Sequence, residues 1–160
     1  FRSSFTSTDQ NPTVSSSATT AMAGKYSLVV TSAKNCASNA GVTTVVVNAI
    51  PDEPTVKSPI AYCQGETASV LSATGINLSW YAAAIGGTGS ATAPTPSTTT
   101  VDDVSYFVSQ SVDGCESGRA EIVVSTVAPP SKPTITTNSP VCVDDDIELT
   151  TAAVPSAIYS

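Results

Sequence analysis

The sequence contains no histidine. Ser-His and Cys-His nucleophilic catalysis and histidine-metal chemistry are therefore excluded unless a partner brings the imidazole. Charge is scarce as well. Asp, Glu, Lys and Arg make up 12% of the 160 residues, and six scattered cations (Arg2, Lys25, Lys34, Lys57, Arg119 and Lys132) face thirteen acids, for a net charge of −7. Such a balance leaves no footprint for nucleic acid or an anionic membrane. Apolar runs such as VTTVVVNAI are far too short to cross a bilayer. The first residues lack the charged, apolar and small-residue regions of a signal peptide, so any export signal is expected outside this stretch. With aromatic residues at 6% and a single tryptophan, structural roles are expected to use up most of the large rings.

What is abundant is Ser, Thr and Asn interleaved with Val, Ala and Ile, the mixture of solvated sheet faces. Strands are expected at PTVK, ASVLSAT, INLSWYAA, STTTV, SYFVSQSV and AEIVVSTV, separated by turns such as AIGGTGSA, APTPS and VDGC. In NLSWY the alternation sends Leu78 and Trp80 to one face and Tyr81 to the other, as in a half-buried strand of a sandwich. The fold class expected is all-β.

The chain repeats itself. PDEPTV from Pro51 and PSKPTI from Pro130 lie 79 residues apart, and so do Cys63 and Cys142, and Cys36 and Cys115. GKYSLVVTSAKNCAS aligns with VSYFVSQSVDGCES, and a valine-rich run follows each. Only the middle copy is complete, with Cys63, Trp80 and Cys115 in order. If Ser160 is joined to Phe1 of another copy, Tyr159-Ser160-Phe1 lines up with Leu78-Ser79-Trp80, so Phe1 takes the core aromatic place of Trp80. The expected organisation is the C-terminal part of one domain at 1–50, a complete domain at 51–129 and the N-terminal part of the next at 130–160. The missing halves come either from covalent tandem repetition, the simpler case, or from separate chains that complete one another head to tail by strand addition.

Tyr26 and Tyr106, ten and nine residues before Cys36 and Cys115, stand where a tyrosine corner would cap a late strand. The cysteines lack CxxC spacing and histidine neighbours, so disulfides fit better than zinc. The expected bonds are Cys63 to Cys115 within one copy and Cys142 to Cys36 across the copy boundary. Closing a loop of that length would contribute about 4 kcal/mol on the chain-entropy model.

The stretch from SPIAYCQGETASV through LSWY to DGCESGRAEIVV closely resembles the Ig-like domains that recur in long secreted surface proteins of gliding and filamentous Gram-negative bacteria. The flanking halves, with their PVCxxDD and AGKYSLVVT marks, resemble the companion PKD-like or Ig-like repeats. The resemblance implies tandem Ig-like β-sandwiches in an extracellular, cell-surface module of a giant adhesin or filament, a stalk for attachment, gliding or cell capture. It also implies neighbouring copies of the same repeat as partners, with lateral assembly into a filament as a further arrangement.

No enzyme is expected. Asp102 and Asp103, the adjacent carboxylates, read as a solvated turn. Asp144, Asp145 and Asp146, with Glu148 beyond, are the calcium candidates, since oxygen-rich groups at a domain junction can hold that ion; the competing reading, a polar turn, fits better, and no cofactor is expected. Asn77-Leu78-Ser79 matches a glycosylation acceptor pattern by chance. The alternative function is a carbohydrate-binding sandwich module, for which Tyr81, Phe107, Tyr62 and Phe5 are the available aromatic side chains.

Overall fold

A computed structural model of the chain describes residues 5–153. Phe1, Tyr159 and Ser160, on which the expected join rests, lie outside the described residues. Within them the regular secondary structure is strand, apart from one short 3-10 turn at Thr20–Met22. In chain order the strands are β1 (Gly24–Leu28), β2 (Gly41–Val45), β3 (Thr55–Val56), β4 (Ile60–Cys63), β5 (Ala73–Thr74), β6 (Ser79–Tyr81), β7 (Asp103–Ser109), β8 (Ser111–Val112), β9 (Cys115–Glu116), β10 (Ala120–Val127), β11 (Ile135–Thr137) and β12 (Leu149–Thr151).

The middle stretch is the best packed. Its main sheet runs β4-β10-β7-β6, with β10 antiparallel to β7 and parallel to β4. β10 alternates strictly: Ala120, Ile122, Val124 and Thr126 are buried while Glu121 faces water, the period of two that an extended backbone imposes. Ala120, Ile122 and Val124 form one core with Leu71, Trp80 and Val108, and the half-buried Val56, Ile60, Tyr62, Ala73, Leu78, Ala93 and Tyr106 close around them. The two-stranded β3-β5 ribbon supplies Val56 and Ala73 to this core. Leu78 and Trp80 do turn inward with Tyr81 on the opposite face, as the alternation requires. STTTV forms no strand, whereas IAYC, unmarked in sequence because its exposed Ala61 and Cys63 are as apolar as its half-buried Ile60 and Tyr62, becomes β4. At the β8-β9 hairpin, Asp113 and Gly114 take φ of 51° and 81°, the left-handed pair that a two-residue Asp-Gly turn needs.

The flanking stretches share that geometry without its packing. β1 pairs with β2 from Gly24↔Val45 to Leu28↔Gly41, and β7 pairs with β10 from Val104↔Val124 to Val108↔Ala120 in the same register. Burial is opposite. Val108 and Val124 are 0% and 1% exposed, whereas their counterparts Leu28 and Val45 are 59% and 38% exposed. In the middle stretch β4 and β6 cover the two outer edges of this strand pair; β1 and β2 pair only with each other among the described residues. β11 and β12 form a similar isolated ribbon, with Ile135 and Leu149 exposed.

Candidate functional site

The ring best placed to receive a sugar, Tyr81, is already engaged by the protein. The Tyr81 hydroxyl donates to Glu116 Oε1 at 2.6 Å, and the Ser109 hydroxyl donates to the same oxygen at 2.6 Å. The Arg119 guanidinium lies over the Tyr81 ring, 3.3 Å from its centroid, a cation-π contact. Arg119 is itself held by the carbonyls of Ala83 and Gly86 at 2.7 and 2.8 Å. Gly89 packs so closely on the ring that a Cβ there would meet Tyr81 Cζ at 2.8 Å. Both hydroxyl bonds, and then the nearby Arg119 charge, favour the ionised carboxylate and hold Glu116 below the usual glutamate range. Tyr81 therefore works as part of the β6-β7-hairpin joint. The Tyr62 hydroxyl accepts the Ser69 N–H at 3.2 Å, Phe107 pairs across strands with Tyr81, and Phe5 is exposed at the far end of the sequence.

The two tyrosines expected at corner positions differ. The Tyr26 hydroxyl donates to the Met22 carbonyl at 2.8 Å, four residues upstream, as a tyrosine corner does. Tyr106 packs against the core, and its hydroxyl has no such bond among the described residues.

The acidic candidates form a turn. Asp145 Oδ2 accepts the Cys142 N–H at 3.1 Å, and the Asp145 N–H bonds back to the Cys142 carbonyl at 3.2 Å. Glu66 does the same for Cys63, with bonds of 2.8 and 3.0 Å. Asp144 takes the left-handed position, φ 75°, that Gly65 holds at φ 82°. Asp145 is thus committed to capping the backbone. No group of three or more acidic or cysteine side chains converges as a metal site would require among the described residues. Asp102 Oδ1 accepts the Asp103 N–H at the exposed start of β7.

The cysteines require a correction. None of the four is bonded to another within the chain, and the sheet keeps Cys63 from Cys115. Cys63 is the register partner of Val127, the last residue of β10. Cys115 lies in the hairpin that precedes Ala120, the first residue of β10. Seven residues of extended strand separate those two ends, about 23 Å at ~3.3 Å per residue, whereas a disulfide needs Cα atoms within about 7 Å. The expected bond within the domain is therefore excluded, together with the stability assigned to it. Cys142 and Cys36 hold the equivalent turn and hairpin, so one domain built from those halves would separate them in the same way.

Each end of the domain instead grips a chain segment. At the entry end, Asn48 Nδ2 donates to the Asp113 carbonyl at 2.8 Å and the Asn48 carbonyl lies 3.9 Å from Cys115 Sγ. Gln110 Nε2 donates to the Asp52 carbonyl at 2.8 Å while its Oε1 accepts the Ile76 N–H at 2.9 Å, so one side chain ties the incoming link to the domain. At the exit end, the Gln64 N–H donates to the Val127 carbonyl at 2.8 Å, and Gln64 Nε2 to the Thr99 carbonyl at 2.9 Å. Asn48, Gln110, Glu116 and Arg119 carry no mark in the sequence, because each acts on a residue more than thirty positions away. The hint was the proline-bearing link beside Asn48.

No helix among the described residues is long and apolar enough to cross a membrane. No curated protein matches the chain. Residues 51–129, the span of the four-stranded sheet, its core and both gripping ends, match the family described as Ig-like domain CHU_C associated. Over that span, just under half of the chain, the sequence is similar to that family, and the all-β fold with its packed core is that of an Ig-like β-sandwich.

Proposed function

We propose that the chain is a structural repeat unit of a long extracellular surface protein, in which Ig-like domains follow one another head to tail and form a stalk for attachment, gliding or cell capture. The observation that carries this reading is the contrast in burial between two strand pairs of identical register. Leu28 and Val45 stand in water at positions where Val108 and Val124 are sealed in a core. An apolar face of that kind is stable when a further half-domain covers it, and the C-terminal stretch of another copy has the right parts. Pro140 to Cys142 corresponds to β4, which flanks β10 in the complete domain, and would lie beside β2.

The role is mechanical. Each domain has a small core, the prolines of NAIPDEPTV and VAPPSKPTI narrow the angles open to the link, and Gln110 and Asn48 bind that link to the next domain. Length then follows from repetition. The sugar-binding alternative loses its best ring, because Arg119 covers a face of Tyr81, Gly89 packs close to its Cζ and hydroxyl, and Glu116 takes that hydroxyl's hydrogen bond. The test is the mass of the source protein on a reducing denaturing gel. A band far above 16.1 kDa supports covalent tandem repetition. A band at that mass, from protein that stays monomeric under native conditions, overturns the repeat reading.

A further inference from the structure

Cys63 and Cys115 sit at opposite ends of one domain, and each faces a junction. The Asn48 carbonyl, at the close of the preceding repeat, lies 3.9 Å from Cys115 Sγ, and the Asn48 side chain is bonded to the turn that carries this cysteine. Val127, at the close of the middle repeat, is the register partner of Cys63, so their Cα atoms are about 4.8 Å apart across neighbouring strands. Asn48 and Val127 are the same position of the repeat, 79 residues apart. One position therefore touches two cysteines: the turn cysteine of the domain it ends, and the hairpin cysteine of the domain it enters. Even the contacts converge, since the Val127 carbonyl takes the Gln64 N–H and the Asn48 carbonyl faces Cys115.

We infer that the cysteines link consecutive domains, the turn cysteine of one domain pairing with the hairpin cysteine of the next. Cys63 joins Cys36 of the following copy, and Cys142 joins Cys115 of the following copy. The inference rests on the head-to-tail reading above. It explains why each domain carries one cysteine at each end, in reach of a neighbour and out of reach of each other. The reaction balances as a thiol-disulfide exchange. Two protein thiols form one S–S bond, and a small-molecule disulfide such as oxidised glutathione takes up the two electrons and two protons as two thiols. The bond would lock the junction that Gln110 and Asn48 hold by hydrogen bonds, so that pulling on the stalk loads a covalent link beside each proline-bearing one.

The experiment uses two copies of the full sequence joined from Ser160 to Phe1 and oxidised with glutathione. Peptide mapping under non-reducing conditions reads the bonds, and amide exchange reads whether the domain spanning the join is folded. Protection across the join, with Cys63 of the first copy linked to Cys36 of the second and Cys142 of the first to Cys115 of the second, is the expected result. Cys63→Ser should abolish the first linked peptide and leave the second at full yield. Protection across the join with Cys63 linked to Cys115, or with all thiols free, overturns the inference and leaves the head-to-tail reading standing. An unprotected join overturns both.

Discussion

Replacing Val108 by alanine, and separately its counterpart Leu28, measures how much of a domain the first segment possesses by itself. Val108 is fully buried beside its register partner Trp80. Valine to alanine removes two carbons, about 1.6 kcal/mol at ~0.8 kcal/mol per buried methylene, and an unrelaxed cavity raises the cost to roughly 2 to 3 kcal/mol. Trp80, the only tryptophan, reports the transition by fluorescence. At an m-value of about 1 kcal/mol/M for a domain of this size, the urea midpoint should fall by about 2 M or more. Leu28 occupies the same register position with 59% of its surface exposed. Leu28→Ala should cost less than about 0.5 kcal/mol in the single chain, as an exposed substitution does. In two copies joined end to end, where the face is covered, the cost should rise into the range of roughly 2 to 5 kcal/mol typical of buried leucine, read from amide exchange at Tyr26 and Thr43. A cost at Leu28 that is the same in the single and the joined chain would refute the reasoning, because the face would then have no missing half.

Glu116 sets a pH dependence of definite sign. Its folded-state pKa lies below the ordinary glutamate value because Ser109 and Tyr81 donate to the carboxylate, so the unfolded chain takes up its proton first as pH falls. The stability this contributes is complete above the unfolded pKa, near 4.5, and is lost as pH drops through the lower folded value. Urea midpoints of Glu116→Gln should therefore show a shallower decline below pH 4.5 than those of the parent, and parallel curves would remove the carboxylate from the account. Gly89→Ala places a methyl 2.8 Å from Tyr81 Cζ and Oη, while the Ser90 and Trp80 backbones are bonded to each other alongside. The ring must give way, at a cost of roughly 1 to 3 kcal/mol. Tyrosine absorbance should shift as the hydroxyl leaves Glu116, whereas an unchanged midpoint and spectrum would mean that the ring was never packed there.

The strands that alternate were legible because burial on one face writes a period of two into the sequence, as in AEIVVSTV with Ala120, Ile122 and Val124 inward. β4 was not, since its burial alternates while its residues do not: exposed Ala61 and Cys63 are apolar like half-buried Ile60 and Tyr62. The tyrosine corner at Tyr26 followed from its spacing to Cys36, but the same spacing at Tyr106 gave packing without the hydrogen bond. Local spacing places a ring on a strand; what its hydroxyl meets depends on segments elsewhere.

The site residues divide along the same line. Asp144 and Asp145 read in sequence as an acidic cluster, and only the backbone geometry turned them into the counterparts of Gly65 and Glu66, a left-handed residue and a cap. Arg119 over Tyr81, and Gln110 on Asp52, join residues that the chain keeps far apart.

By itself the sequence determined the all-β class, the alternating core of the middle stretch and the recurrence of cysteines, prolines and strand pairs at 79 residues, because periodicity and spacing are properties of the chain. Only the tertiary structure decided that Cys63 and Cys115 cannot meet. Spacing counts residues and carries no direction, whereas the parallel pairing of β4 with β10 sets Cys63 at the end of the sheet opposite the hairpin of Cys115.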